Sequence, residues 1–275
     1  MCITPMKLHR LISLYTARVD ERAPRASVAA MQVGVNFDTA RSVFDILRTE
    51  EADQGQRDSD SIVFKGNVEG DGCALRKVWV SANSPAFSAS VTRWVKSHRR
   101  QRKPKAFQWH VRVGALKERT GRLAMQKLST VLVAPGARPP PENIAELRAT
   151  KLVNRVRLPR GCKLFTDGAK AWEHLALNEK IPHASVSHAA NEYVRNTGPA
   201  GPFSCLAGTM SIDSCWRVLQ RYIPSEVCAK STSKDQIWNS RLWAYCQSFT
   251  FRHNRRNADL FVEVGKLFRD KYGEA

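Results

Sequence analysis

Lys163-Leu164-Phe165-Thr166-Asp167-Gly168-Ala169-Lys170-Ala171-Trp172 is the stretch that decides the fold. Lys163–Thr166 is short, apolar and β-prone, and Asp167-Gly168 is turn chemistry. Ala169–Leu177 then reads as a helix. A strand, a turn and a helix in immediate succession is the unit of an α/β protein.

Working outward, Pro139-Pro140-Pro141 separates this unit from what precedes it. Glu142–Asn154 reads as a helix, with Ile144, Leu147 and Leu152 partly periodic. Before the prolines, Ser61–Asp71 reads as a strand, with Lys77–Val80 as its hairpin partner. Phe107–Val113 and Leu123–Val133 read as two further strands, with Gly121 in the turn between them. On the other side, Ile212–Arg221, Lys234–Phe251 and Asp259–Asp270 read as helices. The Trp238, Leu242, Tyr245 and Phe249 stripe is a core face, and Trp216 reads as core too. Strands, then strand–helix alternation, then helices predict an α/β fold with a mixed sheet flanked by helices.

The N-terminal part differs. Residues 1–26 carry no clear pattern and read as a tail. In 27–50, Ser27–Val33 and a second helix through Ala40, Val43, Phe44 and Leu47 flank Gly34. Gly34 suits a helix end, and Asn36 or Asp38 suits an N-cap. This spacing fits a DNA-binding helix-turn-helix or an ordinary helical hairpin. Glu50–Asp60 reads as a polar linker.

With 44 basic residues against 25 acidic ones, the chain carries a formal charge of +19. That balance points to a polyanionic partner, nucleic acid first. A hydrophobic content of 43% is enough for a core and excludes wholesale disorder. No stretch approaches the roughly 18–20 apolar residues of a membrane span, so no membrane partner is expected. The seven cysteines are scattered and form no CxxC pair, which predicts reduced thiols rather than a zinc ribbon. His183, His188, Cys205 and Cys215 are too irregularly spaced to read as a zinc site. A basic run holds Arg93, Lys96, His98, Arg99, Arg100, Arg102, Lys103 and Lys105. It reads as a phosphate-contacting loop, a nuclear-import signal or a solubilising loop. Arg221, Arg252, Arg255 and Arg256 are further candidates for DNA phosphates, a solvated helix end being the alternative for the last three.

Three acids stand where a metal centre would be built. Asp71 closes a predicted strand, Asp167 ends another, and Asp213 opens a helix. Divalent Mg²⁺ takes hard oxygen ligands, and two such ions can serve both oxygens of an in-line phosphoryl transfer. Each acid alone has a plain role, as a turn residue or a helix cap.

The words around them carry a resemblance. Phe165-Thr166-Asp167-Gly168-Ala169-Lys170-Ala171-Trp172, His188-x-x-Asn191-Glu192-Tyr193-Val194, Ile212-Asp213-Ser214-Cys215-Trp216 and Phe249-Thr250-Phe251-Arg252-His253-Asn254 occur in that order. Over residues 60–268 the chain resembles the DDE transposases of the Merlin superfamily and related bacterial insertion-sequence transposases. The resemblance implies a ribonuclease H-like catalytic domain over 60–268, preceded by the helix-turn-helix. It implies Asp71, Asp167 and Asp213 as catalytic acids holding Mg²⁺ or Mn²⁺. It implies double-stranded DNA, as transposon ends and target, and a homo-oligomer on that DNA. The compartment would be the nucleus in a eukaryote, or the cytoplasm and nucleoid in a bacterium. The chain departs from the family in several places. Asp213 stands where Glu is usual, Gly208-Thr209-Met210 precedes it, Gln220 replaces a basic residue, and Gly72 follows the first acid. These departures keep a second reading open, an inactive DNA-binding protein with the same fold. A basic RNA-associated protein is a third.

Overall fold

The computed structural model describes residues 3–17, 23–80, 85–97, 107–119, 121–133, 140–158, 161–187, 190, 192, 194–196, 206–225, 227, 230–231 and 241–272. They divide into two compact units. A helical unit comprises Met1–Asp60, Val218–Ile223 and Trp243–Ala275, and a sheet unit comprises Ser61–Arg217 and Pro224–Leu242. This differs from the expected division, because the last helices join the N-terminal segment instead of the sheet.

In the helical unit, α1 (Pro5–Thr16), α2 (Ala26–Val33) and α3 (Phe37–Ser61) are followed in sequence, much later, by α8 (Arg241–Asn254) and α9 (Leu260–Tyr272). The expected tail therefore holds a helix. Thr4 caps α1, accepting from the Lys7 N–H, and Pro5 is pre-set for the first turn. Gly34 ends α2 at φ 70°, a left-handed conformation that glycine adopts without penalty. Asn36 accepts from the Thr39 N–H at 2.7 Å at the start of α3. The expected linker Glu50–Asp60 is helix as well. Its polar residues Glu50, Glu51 and Ser59 are buried, and buried polar partners keep the helix running where composition alone suggests a break. Leu11, Tyr15, Ala30, Phe44, Leu47, Phe251 and Val264 form the core of this unit. Gly55 lets α3 and α8 approach closely, since a Cβ there would collide with the Gln247 carbonyl.

The sheet unit holds a mixed seven-stranded sheet. Its strands are β1 (Val68–Val80), β2 (Gln108–Glu118), β3 (Leu123–Lys127), β4 (Val131–Val133), β5 (Leu164–Thr166), β6 (His183–Ser185) and β9 (Lys230–Ser231). The main order is β3-β2-β1-β5-β6, with β4 added on β2 and β9 on β1. A separate antiparallel pair is formed by β7 (Arg195–Asn196) and β8 (Leu206–Ala207). Strand β1 is longer than expected and continuous, absorbing Lys77–Val80, so the predicted hairpin partner is the same strand. It runs antiparallel to β2, which runs antiparallel to β3, whereas β1, β5 and β6 run parallel.

Helices α4 (Pro85–Ser97), α5 (Ile144–Ala149) and α6 (Lys170–Asn178) also belong here. Helix α7 (Met210–Tyr222) gives its residues up to Arg217 to this unit and Val218–Tyr222 to the helical one. The helix expected over 142–154 is shorter, ending at Ala149 before a single 3₁₀ turn at Val153–Arg155. Val68, Leu116, Leu147, Leu164, Trp172 and Leu175 pack into one core on one face of the sheet. Gly70 lies on that face, where a Cβ would meet Leu116, Leu164 and Trp172 at 3.1–3.3 Å. The period-two alternation of β1 therefore sends Glu69 and Asp71 to the opposite face.

No described helix is long and apolar enough to cross a membrane. Cys73, Cys162, Cys215 and Cys246 are free thiols.

Candidate active site

Strand register brings the first two acids together. Val68 pairs with Leu164 and Glu69 with Phe165. Carried two residues further, the same parallel register sets Asp71 opposite Asp167, just past the end of β5. Adjacent strands lie about 4.8 Å apart, so both carboxylates rise from neighbouring backbones. Asp167 accepts from the Ala169 N–H at 3.2 Å, and Gly168 turns the chain at φ 80° into α6.

Helix α7 brings the third acid to the same face. Asp213 sits in its first turn and accepts from the Thr209 hydroxyl at 3.2 Å. One turn on, the Trp216 indole Nε1–H donates to Asp71 Oδ2 at 2.7 Å. Asp213 and Trp216, at i and i+3, share one side of the helix. Trp216 is buried, as expected of a core residue, but its polar edge also orients an acid.

The other two acids act on Asp71. The Asp71 carboxyl is held well above the usual aspartate range, first by burial and then by repulsion from Asp167 and Asp213. The Trp216 hydrogen bond opposes that shift without cancelling it. Among the described residues, no three carboxylate, imidazole or thiolate groups are gathered tightly enough to hold one metal ion as they stand.

The docking of α7 onto the sheet has a charged footing. Glu69 is 2% exposed. Its Oε2 accepts from the Ile212 backbone N–H at 2.9 Å, and its Oε1 from Arg119 Nε at 2.9 Å. Arg119 Nη2 donates to the Gly208 carbonyl at 3.2 Å, and its guanidinium lies 4.1 Å from the Phe165 ring centroid. Lys117, directly opposite Glu69 on β2, donates from Nζ to the Ser211 hydroxyl. A cavity of about 350 Å³ opens beside Glu69 and Arg119, walled by Val194, Ala207 and Met210.

A fourth acid was not expected. Glu142 lies against Gly72, where a Cβ would collide with its carboxylate. Burial raises the Glu142 carboxyl, Asp167 raises it further, and Arg112 lowers it. The missing side chain after the first acid is thus the space that Glu142 fills. Glu69 was legible through its alternation with Asp71, two residues away. Glu142 has no such signal, because only the fold brings it to β1.

The expected DNA contacts fare unequally. Arg252 is fully buried, its Nε 3.0 Å from Glu51 Oε1, and is corrected from a surface phosphate clamp to a core ion pair. Burial opposes its charge most strongly, but Glu51, Tyr222 and Tyr15 together outweigh that and hold the guanidinium protonated. Arg255 is mostly covered and pairs with Asp58 and Glu263, so it too is a structural cation. Arg256 is half-buried and donates to the His253 carbonyl at 2.9 Å. Arg221 is exposed on α7. Arg99, Arg100, Arg102 and Lys103 lie outside the described residues, as do His188, Cys205 and Trp238. Arg217 was not singled out in the sequence, yet it is exposed one turn past Asp213. Among the described residues neither Arg217 nor Arg221 meets a hydrogen-bond or ion-pair partner.

No known family's model matches the chain, no curated protein is significantly similar to it, and no solved structure is either.

Proposed function

We propose that this chain is a DDE-type DNA transposase, or a protein derived from one, with a ribonuclease H-like catalytic domain. The observation that carries the reading is that β1–β5 pairing brings Asp71 and Asp167 to neighbouring strands, while Trp216, one turn past Asp213, donates to Asp71. The order β3-β2-β1-β5-β6, with three antiparallel strands followed by two parallel ones, supports the fold assignment. The charge of +19 supports a nucleic-acid substrate.

The donor set fits Mg²⁺ or Mn²⁺. It is all carboxylate oxygen, and Asp71 is a half-buried acid repelled by its neighbours, which a cation would relieve. Asp71, Asp167 and Asp213 are the residues that would hold such an ion. When bound, such ions supply charge stabilisation for an in-line displacement at phosphorus. The protein's own part is orientation. Trp216 fixes one Asp71 oxygen, and Thr209 fixes one of Asp213. Arg217, exposed and without an ion-pair partner among the described residues, is available to a phosphate next to the one that reacts. Water attacks first, freeing a 3′-hydroxyl that then attacks target DNA.

The test is a nicking and strand-joining assay with Mn²⁺ on supercoiled plasmid, wild type beside Asp167→Asn. Nicking in the wild type and none in the variant is expected. Nicking of equal rate in both would sink the assignment of the acids. A second reading has its own support in the loose arrangement of the acids. In it the chain binds DNA without cutting. It predicts salt-sensitive binding that Asp167→Asn leaves unchanged, with no nicking by the wild type.

A further inference from the structure

We propose that Glu69 is the positioning residue of the third acid, and that its grip on the first turn of α7 sets how far Asp213 reaches toward Asp71. The inference deepens the metal-centre reading and rests on it for its catalytic meaning, although the grip is a property of the fold.

Three charged side chains hold the segment Gly208–Ile212. Arg119 takes the Gly208 carbonyl, Lys117 takes the Ser211 hydroxyl, and Glu69 takes the Ile212 N–H. All three come from β1, β2 or the turn just after β2. Of the three, Glu69 alone contacts the residue next to Asp213. It is also the hub, since Arg119 holds Gly208, just before α7, while its own Nε is held by Glu69. Glu69 and Asp71 are two residues apart on one strand and face the same way. Ile212 and Asp213 are adjacent on one helix. The Glu69–Ile212 bond therefore ties the backbone of the third acid to the strand of the first, with no intervening flexible side chain on the helix side.

The bond is well placed energetically. A helix leaves its first N–H groups without internal partners, and a carboxylate there is favoured by the helix dipole. Burial at 2% exposure makes the loss of that acceptor costly, because the Ile212 N–H would be left in a dry site. An aspartate has a short reach, so close docking of its helix is a condition for it to meet Asp71 and Asp167. The longer glutamate at 213 would overshoot on a tightly docked helix and suit a loosened one.

Two readouts test this on the full-length protein. The first is amide hydrogen exchange of Glu69→Gln against wild type, with no metal present. Gln keeps size and one acceptor but loses the charge that Arg119 and the helix start require. Exchange within Met210–Trp216 is expected to speed up at least tenfold, with β2 and β3 unchanged. Unchanged protection of Met210–Trp216 would overturn the proposal. If Glu69→Gln exchanges globally, Arg119→Lys, which disturbs the hub and leaves Glu69 in place, decides the question by the same criterion.

The second readout is Mn²⁺ titration of wild type, Asp213→Glu, Glu69→Gln and the double variant, with duplex DNA present. Asp213→Glu is expected to weaken binding about tenfold in the wild-type background and to restore part of the loss in the Glu69→Gln background. Equal, additive losses would overturn the positioning role, because a merely structural Glu69 would not change which side-chain length is preferred. Absence of Mn²⁺ binding by the wild type would count against the metal-centre reading and against this consequence of Glu69, while exchange still decides the grip itself.

Discussion

In the helical unit 15 basic residues stand against 13 acidic ones, a net of +2; in the sheet unit 29 stand against 12, a net of +17. The difference is not only one of number. The helical unit turns charge inward. Glu51 and Arg252 are both fully buried, and Tyr15 and Ser248 also donate to Glu51. Arg252 lies 4.6 Å from the Tyr15 ring centroid and donates to the Tyr15 carbonyl. The sheet unit holds inward pairs too, Glu69 with Arg119 and Glu146 with Arg112, and its excess of +17 is what such pairs leave. It gathers Asp71, Asp167 and Asp213 against one another and leaves Arg217 exposed. Charge that is satisfied internally stabilises or specifies a fold. Charge left over is available to a partner. By that argument the proposed DNA partner would meet the sheet unit rather than the helical one. Helix α3, which would be the recognition helix of a helix-turn-helix, carries seven acidic residues against three basic ones, and this works against its lying in a DNA groove.

The largest expected effect comes from breaking the inward pair. Arg252→Met leaves Glu51 buried without its cation, which costs about 3–5 kcal/mol. A fall in Tm on the order of 10 °C is expected for a chain of this size. A shift of less than about 2 °C would mean that the pair is not the core feature described. Adding Glu51→Leu to the variant should recover most of the loss, since the uncompensated charge is then gone.

The next effect has the opposite sign. Asp71 is raised by burial and by Asp167 and Asp213, so the folded state holds its proton more tightly than the unfolded chain. Stability from this group is present below the ordinary aspartate range and is lost as pH rises through the raised value. Asp71→Asn removes the charge and keeps an acceptor for Trp216. It should raise stability at pH 8, because the wild type must there deprotonate Asp71 against its surroundings and the variant need not. The gain should shrink toward zero below about pH 4. Denaturation of both proteins across that range checks it, and a gain independent of pH would show that charge is not its cause.

Much of the sheet unit was legible in its residues. Leu164–Thr166 with Asp167-Gly168 announces a strand end and a turn, and the acids follow from those positions. The helical unit was less so. Glu50–Asp60 looks like a linker because its helix is held by partners from Gln247 to Lys271, 188 to 221 residues away in sequence. Arg252 looks like a surface cation for the same reason, its carboxylate partner being 201 residues distant. Local pattern reports propensity, and a buried ion pair is a long-range fact. Glu142 is likewise silent in the sequence, since nothing near it marks the open space above Gly72.

That space gives a smaller effect. Gly72→Ala places a methyl where the Glu142 carboxylate lies. The obstacle is the end of a flexible side chain, so the cost is about 1 kcal/mol or less. Glu142→Ala in the same chain should abolish it, as the cycle of single and double variants measures. A cost that survives in the double variant would assign the need for glycine to the β1 backbone instead.

The smallest effect bears most directly on which unit meets the polyanion. Arg217 and Arg255 differ by environment: one is exposed, the other is held by Asp58 and Glu263. A cation that neutralises one phosphate contributes about 0.9 to the slope of log K against log salt for duplex DNA. Arg217→Ala should therefore lower that slope by about one, with a loss of affinity of only a few fold near 0.15 M salt. Arg255→Ala should leave the slope alone while lowering the denaturation midpoint, because its charge is already matched by two carboxylates. Duplex binding across a salt series separates the two. An unchanged slope for Arg217→Ala with a lowered one for Arg255→Ala would reverse the assignment and move the DNA to the helical unit.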